Sequence, residues 1–370
     1  MAQLDAVVVG GGVMGTAAVH ALAERGRSVR LLERFEIGHA FGSSGGPTRN
    51  FRLTYHDPLY VRMARASLEC WRRLEEGAGT ELLRVVGGLD FGPATEVSAA
   101  ALEAAGERFT RPSAAEIRER WPALRLPEGV ATLFQAEGAI IRADAAVAAQ
   151  ARLAREAGAD LREGVTVTEV GPTRDGVEVT TSAGERMQAS SAIVAAGAWA
   201  ARLLEPTGVR VPLQPLLEQS TAFGPDPSLD GLPTVIDWDS APQQPPYLVP
   251  NAFVPGECKV GAHLSGPPID PDDGPFGPDP EREARATEWI GRLVDPAPVP
   301  VESSTCLYTV APDEDFVIDR VGPLVVASPC SGHGFKFAPL IGEVLADLVT
   351  GERPSVPLDR FGLGRLAVPG

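Results

Sequence analysis

Ala6-Val7-Val8-Val9-Gly10-Gly11-Gly12-Val13-Met14-Gly15 is the stretch that decides the fold. The four apolar residues read as a buried parallel strand. Gly10, Gly12 and Gly15 fit G-x-G-x-x-G, and an alanine-rich helical stretch, Thr16 to Arg25, follows and stops at Gly26. A second apolar strand, Val29 to Leu32, ends at Glu33. Each glycine then has a task. Gly10 permits the tight turn, Gly12 lets the backbone approach a pyrophosphate, and Gly15 allows close helix–sheet packing. The helix start offers free N–H groups to phosphate. Glu33 stands about twenty residues on, where a carboxylate accepts ribose hydroxyls. Strand, helix and acid in register make a dinucleotide-binding βαβ unit. The motif alone does not separate a flavin from a nicotinamide dinucleotide.

Working outward, helical spacing resumes near Leu59 and runs to about Glu76, with Val61, Ala64, Leu68 and Trp71 on one face. Residues 82–140 are mixed, with a short strand at Leu89 to Phe91 and a short helix at Ser113 to Arg120. A helix is expected at Ala143 to Ala157, then strands at Val165 to Val170, Val177 to Thr180 and Ala192 to Ala196. From Phe223 to Glu281 proline and glycine dominate, and the stretch reads as long loops joining strands. Near the C-terminus a strand at Leu324 to Ala327 precedes a glycine-rich turn and a helix with Ile341, Val344, Leu345 and Leu348 on one face. There is no internal repeat. Nucleotide-fold signals therefore recur at the start, near 195 and near 330. This predicts an α/β chain with a discontinuous Rossmann-like domain (1–80, 141–212 and 302–370). A second, mixed-sheet α+β substrate domain (81–140 and 213–301) is inserted twice.

The chain has 370 residues, and its length fits about two domains. At 44% hydrophobic it can bury a sizeable core. The 33 basic against 49 acidic residues leave a net charge of −16. Such a chain repels phosphate backbones and anionic lipid, which disfavours nucleic-acid and membrane-surface roles. Cys70, Cys258, Cys306 and Cys330 show no C-x-x-C spacing, so no zinc or dithiol site is indicated, and reduced cysteines in a cytoplasmic protein are expected. No signal peptide or membrane span is read. Only two of the basic residues are lysines, Lys259 and Lys336; the rest are arginines. Two positions that keep a compact ammonium in an arginine-rich chain are candidate functional sites.

Further motifs carry a family likeness. They are Gly42-Ser43-Ser44-Gly45-Gly46-Pro47-Thr48-Arg49-Asn50-Phe51-Arg52, Cys306-Leu307-Tyr308-Thr309, Pro312-Asp313-Glu314-Asp315-Phe316-Val317-Ile318-Asp319 and Ser331-Gly332-His333-Gly334-Phe335-Lys336-Phe337. In this order they resemble the monomeric sarcosine oxidase and N-methyltryptophan oxidase family of FAD-dependent amine oxidases. The likeness spans nearly the whole chain and is strongest from Cys306 to Asp347.

The resemblance implies roles position by position. Cys306 matches the cysteine that holds FAD covalently through a thioether, and Arg49 the arginine beside the flavin ring. Arg52 and Lys336 match the pair that clamps the substrate carboxylate. Lys259 matches the lysine at which oxygen is reduced. His263 matches a histidine of the substrate pocket, and Tyr247 a pocket tyrosine. Around the cofactor the resemblance adds Val13, Met14, Arg34, Ser43, Thr48, Val167, Gly197, Trp199, Gly332, Gly334 and Phe335 to Gly10, Gly12, Gly15 and Glu33.

Elementary chemistry agrees with several of these roles. A planar arginine suits a bidentate carboxylate. A fixed ammonium stabilises superoxide in a dry pocket. Lys336 sits among aromatics at a helix start, where the dipole disfavours a cation, so an anion is expected beside it. Cys306 lies between candidate strands; with no flanking motif it would read as a buried small hydrophobe, as Cys70, Cys258 and Cys330 do. His333, flanked by glycines, reads as a turn residue. Gly45 and Pro47 depart from the family, which commonly has histidine and an acid there.

The expected activity is oxidation of a secondary amine, an N-methyl or cyclic amino acid, by FAD and molecular oxygen. The expected products are an imine and hydrogen peroxide, from a monomeric enzyme. The alternatives are a biosynthetic dehydrogenase or imine-forming enzyme on the same scaffold, and a flavin-binding protein without turnover.

Overall fold

The structure, a computed structural model, describes residues 4–366; the ends of the expected first domain, 1–3 and 367–370, lie outside them. Around Leu4–Val9 a mostly parallel sheet assembles in the order Val317–Val321, Leu324–Ser328, Arg186–Val194, Leu4–Val9, Val29–Leu32, Asp160–Arg162. Leu4–Val9 pairs in parallel with Arg186–Val194 and Val29–Leu32. A hairpin, Val167–Thr173 and Gly176–Thr181, extends the sheet antiparallel to Arg186–Val194.

Alternation sends successive residues to opposite faces. Val8, Leu31, Ile193 and Val325 meet the helices Val13–Glu24 and Ala338–Thr350 on one side. Val7, Val9, Val194 and Val326 pack against the hairpin residues Val177 and Val179 on the other. Both faces are covered, which is why these strands read as continuous apolar runs. The helix Pro58–Ala78 is delimited chemically. The Asp57 side chain accepts the Leu59 N–H at its start, Pro58 occupies the first turn, and Gly79 ends it in a left-handed conformation.

The second sheet is mixed. Its order is Pro300–Val310, Gln214–Phe223, Cys258–Ala262, Pro246–Pro250, Thr234–Asp237, Gly88–Phe91, Thr132–Gln135. Only Thr234–Asp237 and Gly88–Phe91 run parallel. Leu89, Val235, Leu248 and Val260 pack behind it against Trp289, Ile290 and Leu293 of the helix Pro280–Leu293. A three-stranded sheet, with Ala139–Arg142 between Thr48–Phe51 and Leu83–Val85, lies beside them.

Three sequence expectations change. Lys259, read within loops, stands in the strand Cys258–Ala262. Cys306, read between strands, stands inside Pro300–Val310. The boundary expected between 301 and 302 cuts that same strand, which pairs along its length with Gln214–Phe223 in the second sheet. The chain returns to the first sheet only at Val317–Val321.

Candidate active site

The glycines of the first turn are there for steric reasons. Gly10 has φ +107°, and a Cβ on it would stand 2.5 Å from the Ala195 carbonyl oxygen. A Cβ on Gly15 would stand 1.8 Å from the Gly10 carbonyl oxygen. The helix Val13–Glu24 thus starts pressed onto the strand, with Gly12 as a cap that makes no side-chain bond. Its leading N–H groups therefore face an anion site, and Val13 N–H also reaches Ser44 Oγ at 3.0 Å. Glu33 is buried and accepts the N–H groups of Gly11 at 2.5 Å and Phe35 at 2.8 Å. His39 Nε2 lies 3.5 Å from the same carboxylate, and burial lowers the His39 pKa.

One cavity of about 710 Å³ runs from this turn to Lys336. Every residue expected at the cofactor lines it except Gly15, whose part is packing. Arg52, Tyr247, Lys259 and His263 line it too. The cavity floor is one face of the second sheet. Alternation aims Cys306 and Tyr308, Ala222, Lys259, Tyr247 and Ile236 into the cavity. It sends Val260, Leu248 and Val235 into the core behind.

At the centre, Lys259 Nζ donates to the Thr48 carbonyl oxygen at 2.5 Å. Burial, then the neighbouring Arg49, lower its pKa to about 7. Arg49 donates to the carbonyl oxygens of Thr48 at 2.9 Å, Ser43 at 3.0 Å and Gly45 at 2.5 Å, and lies 5.3 Å from the centre of the Phe335 ring. Gly45 has no room for a side chain: a Cβ would stand 2.8 Å from Ala40 Cα. At Gly45, where the family commonly has histidine, the backbone as it runs here leaves space only for glycine. Burial raises the Cys306 pKa, and Arg49 and Lys259 pull it back.

At the far end Arg52 donates to the Thr54 carbonyl and lies 4.5 Å from the centre of the Tyr55 ring. Lys336 Nζ donates to Tyr55 OH at 3.0 Å and to the His333 carbonyl at 2.7 Å. The Lys336 carbonyl accepts Ser67 Oγ at 2.6 Å and Trp71 Nε1 at 2.7 Å, which locks the turn. The anion expected beside Lys336 is not a protein carboxylate; neutral oxygens hold the amine. Burial, then Arg52, push its pKa well below the usual lysine value. His263 is lowered to about 4 by burial, then by Arg52 and Lys336. Gly332, with φ +77°, gives Tyr308 and His263 their space: a Cβ would stand 2.2 Å from Tyr308 Cε2.

The family model described as FAD dependent oxidoreductase matches residues 5–348. The chain belongs to this family of FAD-dependent oxidoreductases. It is 33% identical to a probable sarcosine oxidase of Arabidopsis thaliana, covering 98% of this chain and 92% of that protein. It is 32% identical to the human peroxisomal sarcosine oxidase, covering 98% and 96%. Among solved structures it resembles an open form of the Tyr258Phe mutant of NikD, an unusual amino acid oxidase essential for nikkomycin biosynthesis. The TM-score is 0.88 at 29% identity, over 98% of this chain and 97% of that one.

The residues present fit the FAD of this FAD-dependent oxidoreductase family. The glycine cradle and open helix start suit a pyrophosphate, Glu33 retains lone pairs for a ribose, and the cavity is continuous from there to Lys259. Arg34 lines the same cavity. It stands half-exposed at the rim and donates to Asp272 Oδ1 at 2.8 Å, which also accepts Trp199 Nε1 at 2.9 Å. His333, read as a turn residue, is a cavity residue as well. Its ring stacks 4.7 Å from Phe316, and its Nδ1 lies 3.4 Å from Tyr55 OH. Sequence reasoning missed Tyr308, Tyr55 and Trp238, all at the site. Tyr308 was findable, since it lies two residues from Cys306 on the same strand. Tyr55 and Trp238 gave no such signal. Among the described residues no group of histidine, cysteine and carboxylate side chains could hold a metal ion.

Proposed function

We propose that the protein oxidises a secondary amine of an N-methyl or cyclic amino acid to the imine, with dioxygen taken to hydrogen peroxide. The observation that carries this reading is one cavity lined by two lysines, Lys336 buried and Lys259 half-buried. Lys336 stands beside Arg52, with no carboxylate in a salt bridge to either among the described residues, and Lys259 stands beside Arg49 and Cys306. Bound FAD supplies a two-electron acceptor. The chain supplies the rest. Arg52 and Lys336 bind and orient the substrate carboxylate. His263 is neutral at physiological pH and leaves the amine free to lose its proton. Lys259 offers positive charge where dioxygen gains electrons. Two electrons and two protons leave the amine and its α-carbon and end on dioxygen; the imine then hydrolyses in water. FAD attached through Cys306 belongs to the same proposal, as do the two-domain division and a monomeric, cytoplasmic enzyme. No helix among the described residues is long and apolar enough to cross a membrane.

The likeness to NikD favours a second reading, a biosynthetic enzyme that passes its imine onward. One experiment tests both: anaerobic flavin bleaching and aerobic peroxide release over a panel of N-methyl, cyclic and primary amino acids. Bleaching with stoichiometric peroxide supports the oxidase. Bleaching without peroxide, with turnover restored by an artificial acceptor, supports the second reading. No bleaching by any amine refutes both.

A further inference from the structure

The cavity floor continues beyond the residues used above. Trp238 follows the strand Thr234–Asp237 and lines the cavity together with Ile236, two residues earlier. This strand lies two strands from that of Lys259, with Tyr247 between them. Neighbouring strands are about 4.8 Å apart, so the floor extends roughly 10 Å past Lys259 in this direction.

Trp238 is held on three sides. Its backbone N–H donates to the Phe91 carbonyl at 2.8 Å. Its indole Nε1–H donates to Asp90 Oδ2 at 3.2 Å, and the His56 ring lies 4.8 Å away. Asp90 is 2% exposed and sits in the strand Gly88–Phe91, on the face opposite the core residues Leu89 and Phe91. An indole has a single donor. With that donor spent on a buried acid, Trp238 can offer a ligand only carbon surface. Sarcosine has no group to place against such a wall.

We propose that Trp238 is a specificity-determining residue that packs against a flat ring of the substrate. The preferred substrate is then a secondary-amine amino acid whose carboxylate-bearing carbon carries, or belongs to, such a ring. Asp90 is the positioning residue that fixes the indole. This inference rests on the amine-oxidation reading for its turnover, but its recognition step is measurable without it.

The test titrates the flavin-loaded protein with two non-oxidisable carboxylates, acetate and benzoate, following the visible flavin spectrum. Benzoate is expected to bind at least tenfold more tightly than acetate. Trp238→Ala should weaken benzoate at least tenfold more than acetate, and Trp238→Phe, which keeps a ring, should restore most of the difference. Equal weakening of both ligands, or no preference in the parent protein, overturns the proposal. In turnover, N-methylphenylalanine should exceed sarcosine in kcat/KM, with that ratio collapsing in Trp238→Ala. If the benzoate preference follows Trp238 while no amine bleaches the flavin, ring recognition stands and the amine-oxidation reading falls.

Discussion

Lys259 Nζ donates to the carbonyl oxygen of Thr48 across 2.5 Å, joining the floor of the cavity to the edge strand that carries Arg49. The bond holds a half-buried amine at one place, with no acid in a salt bridge to it among the described residues, so its charge is available to an incoming anion.

Lys259→Met keeps the length of the side chain and removes its charge. Stopped-flow mixing of reduced protein with oxygen should show reoxidation slowed by about 10²–10³-fold, while anaerobic reduction by amine changes far less. The ammonium form is present below its pKa of about 7, so the parent reoxidation rate should fall as pH rises through that value. The variant should lose this pH dependence. Equal slowing of both half-reactions would remove Lys259 from the oxygen step.

Cys306 stands on the floor near Arg49 and Lys259, both of which favour its thiolate. Acid precipitation of the flavin-loaded protein should leave a yellow pellet. Cys306→Ala should release its flavin to the supernatant. A colourless pellet from the parent protein refutes the attachment.

Lys336 is surrounded by Tyr55, His333, His263 and Arg52, with no carboxylate paired to it among the described residues. Burial and Arg52 lower its pKa and a bound carboxylate favours the ammonium, so binding above that lowered pKa takes up a proton and weakens as pH rises. Calorimetry of acetate binding in buffers of different ionisation enthalpy measures the uptake. Lys336→Met should abolish it and raise KM by about tenfold or more, since a hydrogen bond to a charged group contributes ~1.5–3 kcal/mol. Unchanged proton uptake in that variant would sink the assignment.

Gly332→Ala places a methyl group on Tyr308 and His263 at a positive φ. Overpacking of this kind costs about 1–3 kcal/mol. Thermal unfolding should shift downward by a few degrees, and acetate binding should weaken with it. An unchanged acetate affinity would show that the Tyr308–His263 wall does not shape the carboxylate pocket.

The first sheet was legible because its strands are buried on both faces and so keep their apolar runs, as in Ala6 to Val9. The floor strands were not. In Cys258–Ala262 one face carries Lys259 and Gly261, and in Pro246–Pro250 prolines bound Tyr247, so a functional face breaks the hydrophobic alternation that marks a strand. Lys259 and Lys336 were singled out because every other one of the 33 lysine-or-arginine positions is arginine. Trp238 and Asp90 escaped because their relationship exists only once the strands Thr234–Asp237 and Gly88–Phe91 pair.

That first sheet has a consequence for how the protein is made. Leu4–Val9 is synthesised well before its neighbour Arg186–Val194, and Leu324–Ser328 beyond it comes later still. At about 5–20 residues per second the glycine turn waits many seconds for the sheet that holds it in shape. The glycine turn is therefore flanked on both sides only once Arg186–Val194 has been made and has docked beside Leu4–Val9.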